Sequence, residues 1–213
     1  ASLALSTEVG DRHGVAYAHR VLGFAALLRE EYEEAVRCHQ RSYEAYQEVG
    51  DRWGMASCFI NMGETRRRQG KPRVAAQHYQ KALDIFREID SPRGTAICVL
   101  NLGHAHAALG EDVTSQRYLR EALDIALDIE SYALVLETMG GMALLHARAG
   151  RKDRAAELLG VVLAHPALNE EIRTNIQPAL TLLRKKLSAA RLNAALARGQ
   201  ELNWNAVVAE LLA

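Results

Sequence analysis

The chain repeats itself every 40 residues, and this period limits what it can fold into more than any other feature. The string Glu-Val-Gly-Asp-Arg occurs at residues 8–12 and again at 48–52. Gly14, Gly54 and Gly94 share one column of the period, and Gly23, Gly63 and Gly103 share another that Ala143 continues. Apolar columns keep the same step: Leu22, Met62, Leu102 and Met142, then Tyr43, Leu83, Leu123 and Leu163. A fixed period of this length marks a stack of like units, each too small to bury its own apolar face, so that the core is built between neighbours.

Each unit reads as two helices. Ala75, Tyr79, Ala82, Leu83 and Phe86 fall at i, i+4, i+7, i+8 and i+11, one apolar stripe of an amphipathic helix. The chain is 49% hydrophobic but only 6% aromatic, with four Pro, and it lacks strand-like alternation of Val, Ile and Thr. Such a composition favours helix throughout. Asp11, Asp51, Ser91 and Ser131 share a column and suit the N-cap position, where a side-chain oxygen takes an orphan backbone N–H. Pro92 stands where a first-turn proline is tolerated. Gly70, Gly110 and Gly150 fall between the two helices of their units, where a left-handed residue ends the first helix, and Glu30 holds that place in the first unit.

The stretches VLGFAALL, NMGETRRR and NLGHAHAAL are followed by the small residues Ala35, Ala75, Ser115 and Ala155. Next come His39, Tyr79, Leu119 and Leu159, then Ser42, Ala82, Ala122 and Val162, and Pro166 closes the last unit. This pattern resembles the tetratricopeptide repeat, and the resemblance covers about residues 1–165. The usual repeat has about 34 residues. A 40-residue variant with a Gly-Asp-Arg junction is similar to the C-terminal repeat arms of bacterial STAND-class, LuxR-type and SARP-type regulators. The resemblance implies an all-α fold: a right-handed α-solenoid of antiparallel helix pairs with a C-terminal helical cap.

Residues 2–9 occupy the columns of 42–49 and 82–89, which predicts that 1–10 are the tail of a unit whose first helix lies upstream. Four repeats follow, at about 11–50, 51–90, 91–130 and 131–166, and then a capping region at 167–213. In that region Asn169 caps a helix to about Leu187, with Ile172, Ile176, Leu180, Leu183 and Leu187 on one side and Pro178 predicting a kink or a break. Two short helices are expected at about 188–198 and 204–212, divided by Gly199, the second capped by Asn203. The segment ARGQELNWNAVVAELL is also similar to the tail that closes the arm in those regulators.

Lys+Arg and Asp+Glu are equal at 26 each, a balance that gives no footprint for phosphate backbones or anionic lipid. No direct nucleic-acid or membrane partner is expected. No apolar run is long enough to span a bilayer and the opening residues do not read as a signal peptide, so the expected location is cytoplasmic. The sequence holds no phosphate loop, dinucleotide motif, paired-histidine zinc helix or nucleophile elbow. Cys38, Cys58 and Cys98 read as buried small hydrophobes. The eight His show no ligand spacing, His106 and His146 merely sharing a column, so neither metal nor other cofactor is expected. Glu33-Glu34 and Glu170-Glu171 lie near predicted helix starts, where negative charge suits the dipole. The basic run Arg66 to Arg73 reads as a solvated turn or as an acceptor of carboxylates.

In the family the first helices of the units line a concave groove that holds extended peptides. The matching columns contain Tyr17, Val21, Phe24 and Leu28, then Ser57, Asn61, Glu64 and Arg68. They continue with Ile97, Asn101, His104 and Ala108, then Glu137, Gly141, Leu144 and Arg148. The spacing of 4, 3 and 4 keeps each set on one face. Asn61 and Asn101 match the family position whose amide grips a peptide backbone, an amide being both donor and acceptor. The expected site is Tyr17 and Phe24 as an apolar end, Asn61 and Asn101 on the ligand backbone, and Arg67, Arg68 and Arg148 for acidic groups, with Glu64, His104 and Glu137 lining it. The resemblance implies a non-enzymatic module that binds a protein or peptide segment, works with upstream domains of a larger bacterial regulator and biases its output. The alternatives are a scaffold that self-associates as a homo-oligomer and, with no nucleophile and base in view, a phosphatase-like repeat enzyme.

Overall fold

Three of the first helices of the repeats begin where a side chain takes an orphan N–H, and every helix up to Arg148 is followed by a residue with left-handed backbone. The computed structural model describes residues 10–212, and among these it contains eleven α-helices. Asp11, Asp51 and Ser91 accept from the backbone N–H of Gly14, Gly54 and Gly94 at 2.9, 2.8 and 3.3 Å. Ser131 holds the same position, but its side chain makes no capping bond, contrary to the sequence reading. Gly50, Gly70, Gly110 and Gly150 all have φ between 74° and 82°, and Glu30 adopts the same region at 62°. Asp90 (49°) and Glu130 (53°) do so between repeats. The expected tail of a preceding unit at 1–10 lies, except for Gly10, outside the described residues.

The chain divides into two compact units, Ala1–Leu109 and Gly110–Ala213. The first contains α1 (Arg12–Leu28), α2 (Tyr32–Val49), α3 (Arg52–Arg68), α4 (Pro72–Glu88) and α5 (Pro92–Ala108). Each of these packs on the next in chain order. The seams interlock rings with bare glycines. Tyr46 lies against Gly54 and Phe86 against Gly94, so closely that a Cβ on either glycine would come within 2.5 Å of ring carbons. Inside the pairs, the His39 ring covers Gly23 and the Tyr79 ring covers Gly63 in the same manner. The absence of a side chain is therefore what lets these helices approach. Ala16, Ala45, Tyr46, Cys58 and Met62 form one apolar cluster, with Phe59 and Tyr43 packed against it. All three cysteines are buried and free. Burial pushes the Cys58 thiol up to about 11 and the Cys98 thiol up to about 12, which leaves them unreactive near neutrality.

The second unit contains α6 (Asp112–Asp128), α7 (Tyr132–Arg148), α8 (Lys152–Ala164), α9 (Glu170–Lys186), α10 (Ala189–Gln200) and α11 (Trp204–Leu212). Helix α7 packs on α6, α8 and α9, and is accordingly apolar on most of its circumference, with Leu134, Val135, Leu136, Met139, Met142 and Leu145 buried. Asn169 caps α9 by accepting from Ile172 at 2.9 Å, and Ile172, Ile176, Leu180 and Leu183 are buried, whereas Leu187 falls just past the helix end. Pro178 does not break α9. The proline is exposed, so the Thr174 carbonyl it leaves unbonded faces water rather than the core. Gly199 does not divide the last two helices as the sequence predicts; it lies inside α10 and is buried. A Cβ there would fall 2.0 Å from the Glu157 carbonyl oxygen, and one on Gly160 would fall 2.2 Å from that of Leu196, so the two glycines let α8 and α10 touch backbone to backbone. Asn203 accepts from Ala206 at 3.1 Å and starts α11.

Candidate functional site

In the first unit, the residues picked out by register lie on α1, α3 and α5 as two chemically different surfaces. On α1, Tyr17, Val21, Phe24 and Leu28 are 54%, 48%, 56% and 62% exposed, an apolar strip one helix long. The Arg20 guanidinium stands 4.9 Å from the centre of the Tyr17 ring. The corresponding residues Ser57, Asn61 and Glu64 of α3 and Ile97, Asn101 and His104 of α5 are half-buried.

The polar part of this surface is organised around Glu64. Arg67 donates to both of its oxygens, Nε to Oε2 and Nη2 to Oε1, each at 2.8 Å. Arg68 adds a bond from Nε to Oε1 at 2.7 Å, and the buried Tyr79 hydroxyl reaches Oε2 at 3.4 Å. Burial works to raise the Glu64 pKa, but the two guanidiniums outweigh it and the carboxyl is held below its usual range. The spacing of i, i+3 and i+4 makes this clamp a local consequence of the sequence. His104 lies near the clamp: burial, with Arg67 opposing charge and Glu64 favouring it, takes its pKa down to about 4. The imidazole is therefore neutral at pH 7 and can both donate and accept. The Asn61 backbone carbonyl accepts from Thr65, while its side-chain amide, like that of Asn101, has no partner among the described residues.

The three consecutive arginines do not act together. Arg66 turns to α2, where it donates from Nη1 and Nη2 to Glu33 at 2.7 and 3.1 Å and from Nη1 to Gln69 at 2.6 Å. Glu33 is held down to about 2 by these hydrogen bonds from Arg66 and Gln69. Of the arginines expected to receive acidic groups, Arg67 is half-buried and fully engaged, and Arg68 is the exposed member of the clamp. One carboxylate between two guanidiniums leaves a surplus of one positive charge.

The second unit holds Glu137 and Arg148, both on α7. Arg148 points to Asp112 at 3.3 Å. Glu137 faces α9, where the Asn175 amide is 3.5 Å away. Burial and the Glu171 carboxylate push the Glu137 pKa up to about 7, and the Asn175 bond offsets only part of this. Its placement against α9 is not visible in the sequence, because the 40-residue register ends before that helix. Among the described residues no group of three or more His, Cys, Asp or Glu side chains is arranged to hold a metal ion, and no helix is long and apolar enough to cross a membrane.

Residues 14–88 match the family model for the tetratricopeptide repeat. These residues are tetratricopeptide repeats. The matched segment takes in α1 to α4 and so includes the apolar strip, Asn61 and the Glu64 clamp. No curated protein matches the chain in sequence. Among solved structures, the chain is similar to the Rap conjugation gene regulator of the plasmid pLS20, determined in complex with the Phr* peptide. The likeness has a TM-score of 0.60 at 18% identity and covers 97% of this chain and 70% of that one. At that identity it shows the fold alone, a helical-repeat solenoid.

Proposed function

We propose that the chain is a non-enzymatic module that binds a protein or peptide segment, and that it serves as the sensing arm of a larger bacterial signalling or transcription regulator. The ligand lies on the first-helix face of the first unit, in extended form. The observation that carries this reading is the pair of unpartnered amides, Asn61 and Asn101, one repeat apart beside a charge clamp already satisfied from within. Solvent reaches both amides in the free chain, and a peptide backbone, which supplies both a donor and an acceptor, can take the place of that water. Arg68 and the surplus charge of the clamp favour an acidic ligand group, and Tyr17 with Phe24 favours an apolar side chain at the other end. The peptide bound by the structurally similar Rap regulator supports the class of ligand. Four repeats at about 11–50, 51–90, 91–130 and 131–166 with a cap at 167–213 complete the proposed organisation, in which Glu137 and Arg148 are secondary positions on the fourth repeat.

A displayed library of random peptides, selected against the chain, tests this reading. Enriched peptides are expected to bind the wild type at least tenfold more tightly than the Asn61→Ala, Asn101→Ala double variant in calorimetry. Equal affinity for both, or no enrichment at all, defeats the assignment. The exposed strip on α1 favours a second reading, self-association as a scaffold, for which sedimentation should show a mass that rises with concentration and falls back in Phe24→Glu.

A further inference from the structure

The first repeat has an imidazole where the other repeats have a phenol or a branched alkyl group. His39 occupies the column of Tyr79, Leu119 and Leu159, is 1% exposed, and lies so flat on Gly23 that a Cβ there would meet three of its ring atoms at 2.5 to 2.8 Å. Its Nδ1 is buried without a hydrogen-bond partner, and so is that of His19 on α1. A second N–H on either ring would have no acceptor, and an unpaired buried charge is far more costly than an unpaired neutral nitrogen. The surrounding charges make matters worse. Arg20 on α1 faces His39; Arg41 on α2 faces His19, with Glu44 of the same helix giving partial relief. His78 on α4 repeats the theme in the second repeat, its Nδ1 buried and unpartnered and Lys81 and Arg66 facing it.

We infer that the α1–α2 pair is an acid-sensitive gate: protonation of His39, aided by His19, separates α1 from α2 while the second unit stays folded. Helix α1 packs chiefly on α2, so losing that seam frees it. The apolar strip Tyr17, Val21, Phe24 and Leu28 leaves its place with it, whatever it binds.

The direction follows from linkage. Burial, seconded by Arg20, lowers the folded-state pKa of His39 from 6.5 to about 4, so the folded pair prefers the neutral ring. Its contribution to stability is complete above pH 6.5 and is lost as the pH falls toward 4. The folding equilibrium of the pair weakens by roughly thirtyfold at pH 5 and by roughly three-hundredfold below pH 4 from this one site.

The test is a pH titration of the full chain by NMR, reading backbone amides and histidine ring signals, with His39→Leu as the comparison because leucine fills this column in two other repeats. Amides of residues 12–49 are expected to leave their native positions between about pH 6 and 4.5 while those of α7 to α9 keep theirs, and His39→Leu should lower that midpoint by one pH unit or more. Three outcomes overturn the gate: residues 12–49 native at pH 4.5, loss of the whole chain in a single step, or an unchanged midpoint in His39→Leu. Should that variant not fold at neutral pH, the wild-type ring decides. A His39 imidazole that titrates near pH 6.5 with the native amide pattern intact defeats the proposal; one that stays neutral until the pair opens upholds it.

Discussion

Glu64 and Glu137 are both half-buried carboxylates on first helices, and their surroundings drive them in opposite directions. Glu64 is satisfied by two arginines, whereas Glu137 has a distant amide and a like charge. For Glu137 the folded-state pKa is raised from 4.5 to about 7, so the folded protein takes up a proton that the unfolded chain releases. Stability from this site is therefore complete below pH 4.5 and is lost as the pH rises through 7. Glu137→Gln is expected to stabilise the chain by about 2 kcal/mol at pH 8 and to change little at pH 4.5, measured by urea unfolding at both values. A variant no more stable at pH 8 would show that Glu137 is better solvated than its place suggests. The Arg67 and Arg68 partners of Glu64 could be read from spacing alone. The Tyr79 hydroxyl, the Asn175 amide and the burial of Glu137 could not, because each comes from another helix.

At the scale of the element, sequence and structure agree best where the signal is local. The column Asp11, Asp51, Ser91 holds three working caps, and its fourth member, Ser131, holds the position without the bond. Asp51→Ala is accordingly expected to cost about 1 kcal/mol and Ser131→Ala close to nothing, by thermal melts run side by side. Two equal losses would mean that the column caps by position and not by side chain. Glycine was harder to read, because one residue type does several jobs. A glycine that allows a left-handed turn and one that allows a close helix crossing look alike in a sequence, which is why Gly199 reads as a divider and is in fact a contact. Gly160→Ala must push the Leu196 carbonyl, a backbone atom with nowhere to go, and is expected to destabilise the docking of α10 by about 2–3 kcal/mol. Hydrogen exchange should show the loss in α10 ahead of α6 and α7.

At the scale of the whole molecule, the period revealed the fold because a repeat states its core several times over, and errors in one copy are corrected by the rest. The candidate site was legible only as positions: the columns picked out helix positions but not which amides would lack partners within the chain. Charge is balanced overall, and in the ion pairs that tie the second unit together, Arg191 with Asp153 and Arg198 with Glu157, the arginines are exposed and the carboxylates partly so. Raising the salt from about 0.05 to 0.5 M should therefore shift unfolding by less than about 1 kcal/mol. The seams carry a further consequence, for ancestry. A ring and the bare glycine that receives it stand eight residues apart, Tyr46 with Gly54 and Phe86 with Gly94, so any forty-residue duplication restores both halves of the joint wherever the copying breaks. In the next copy the same two columns hold Ala126 and Leu134, the bulky partner having changed sides. A segment joined across that point would bring bulk to bulk or gap to gap, so the seam on either side accepts only copies of its own kind.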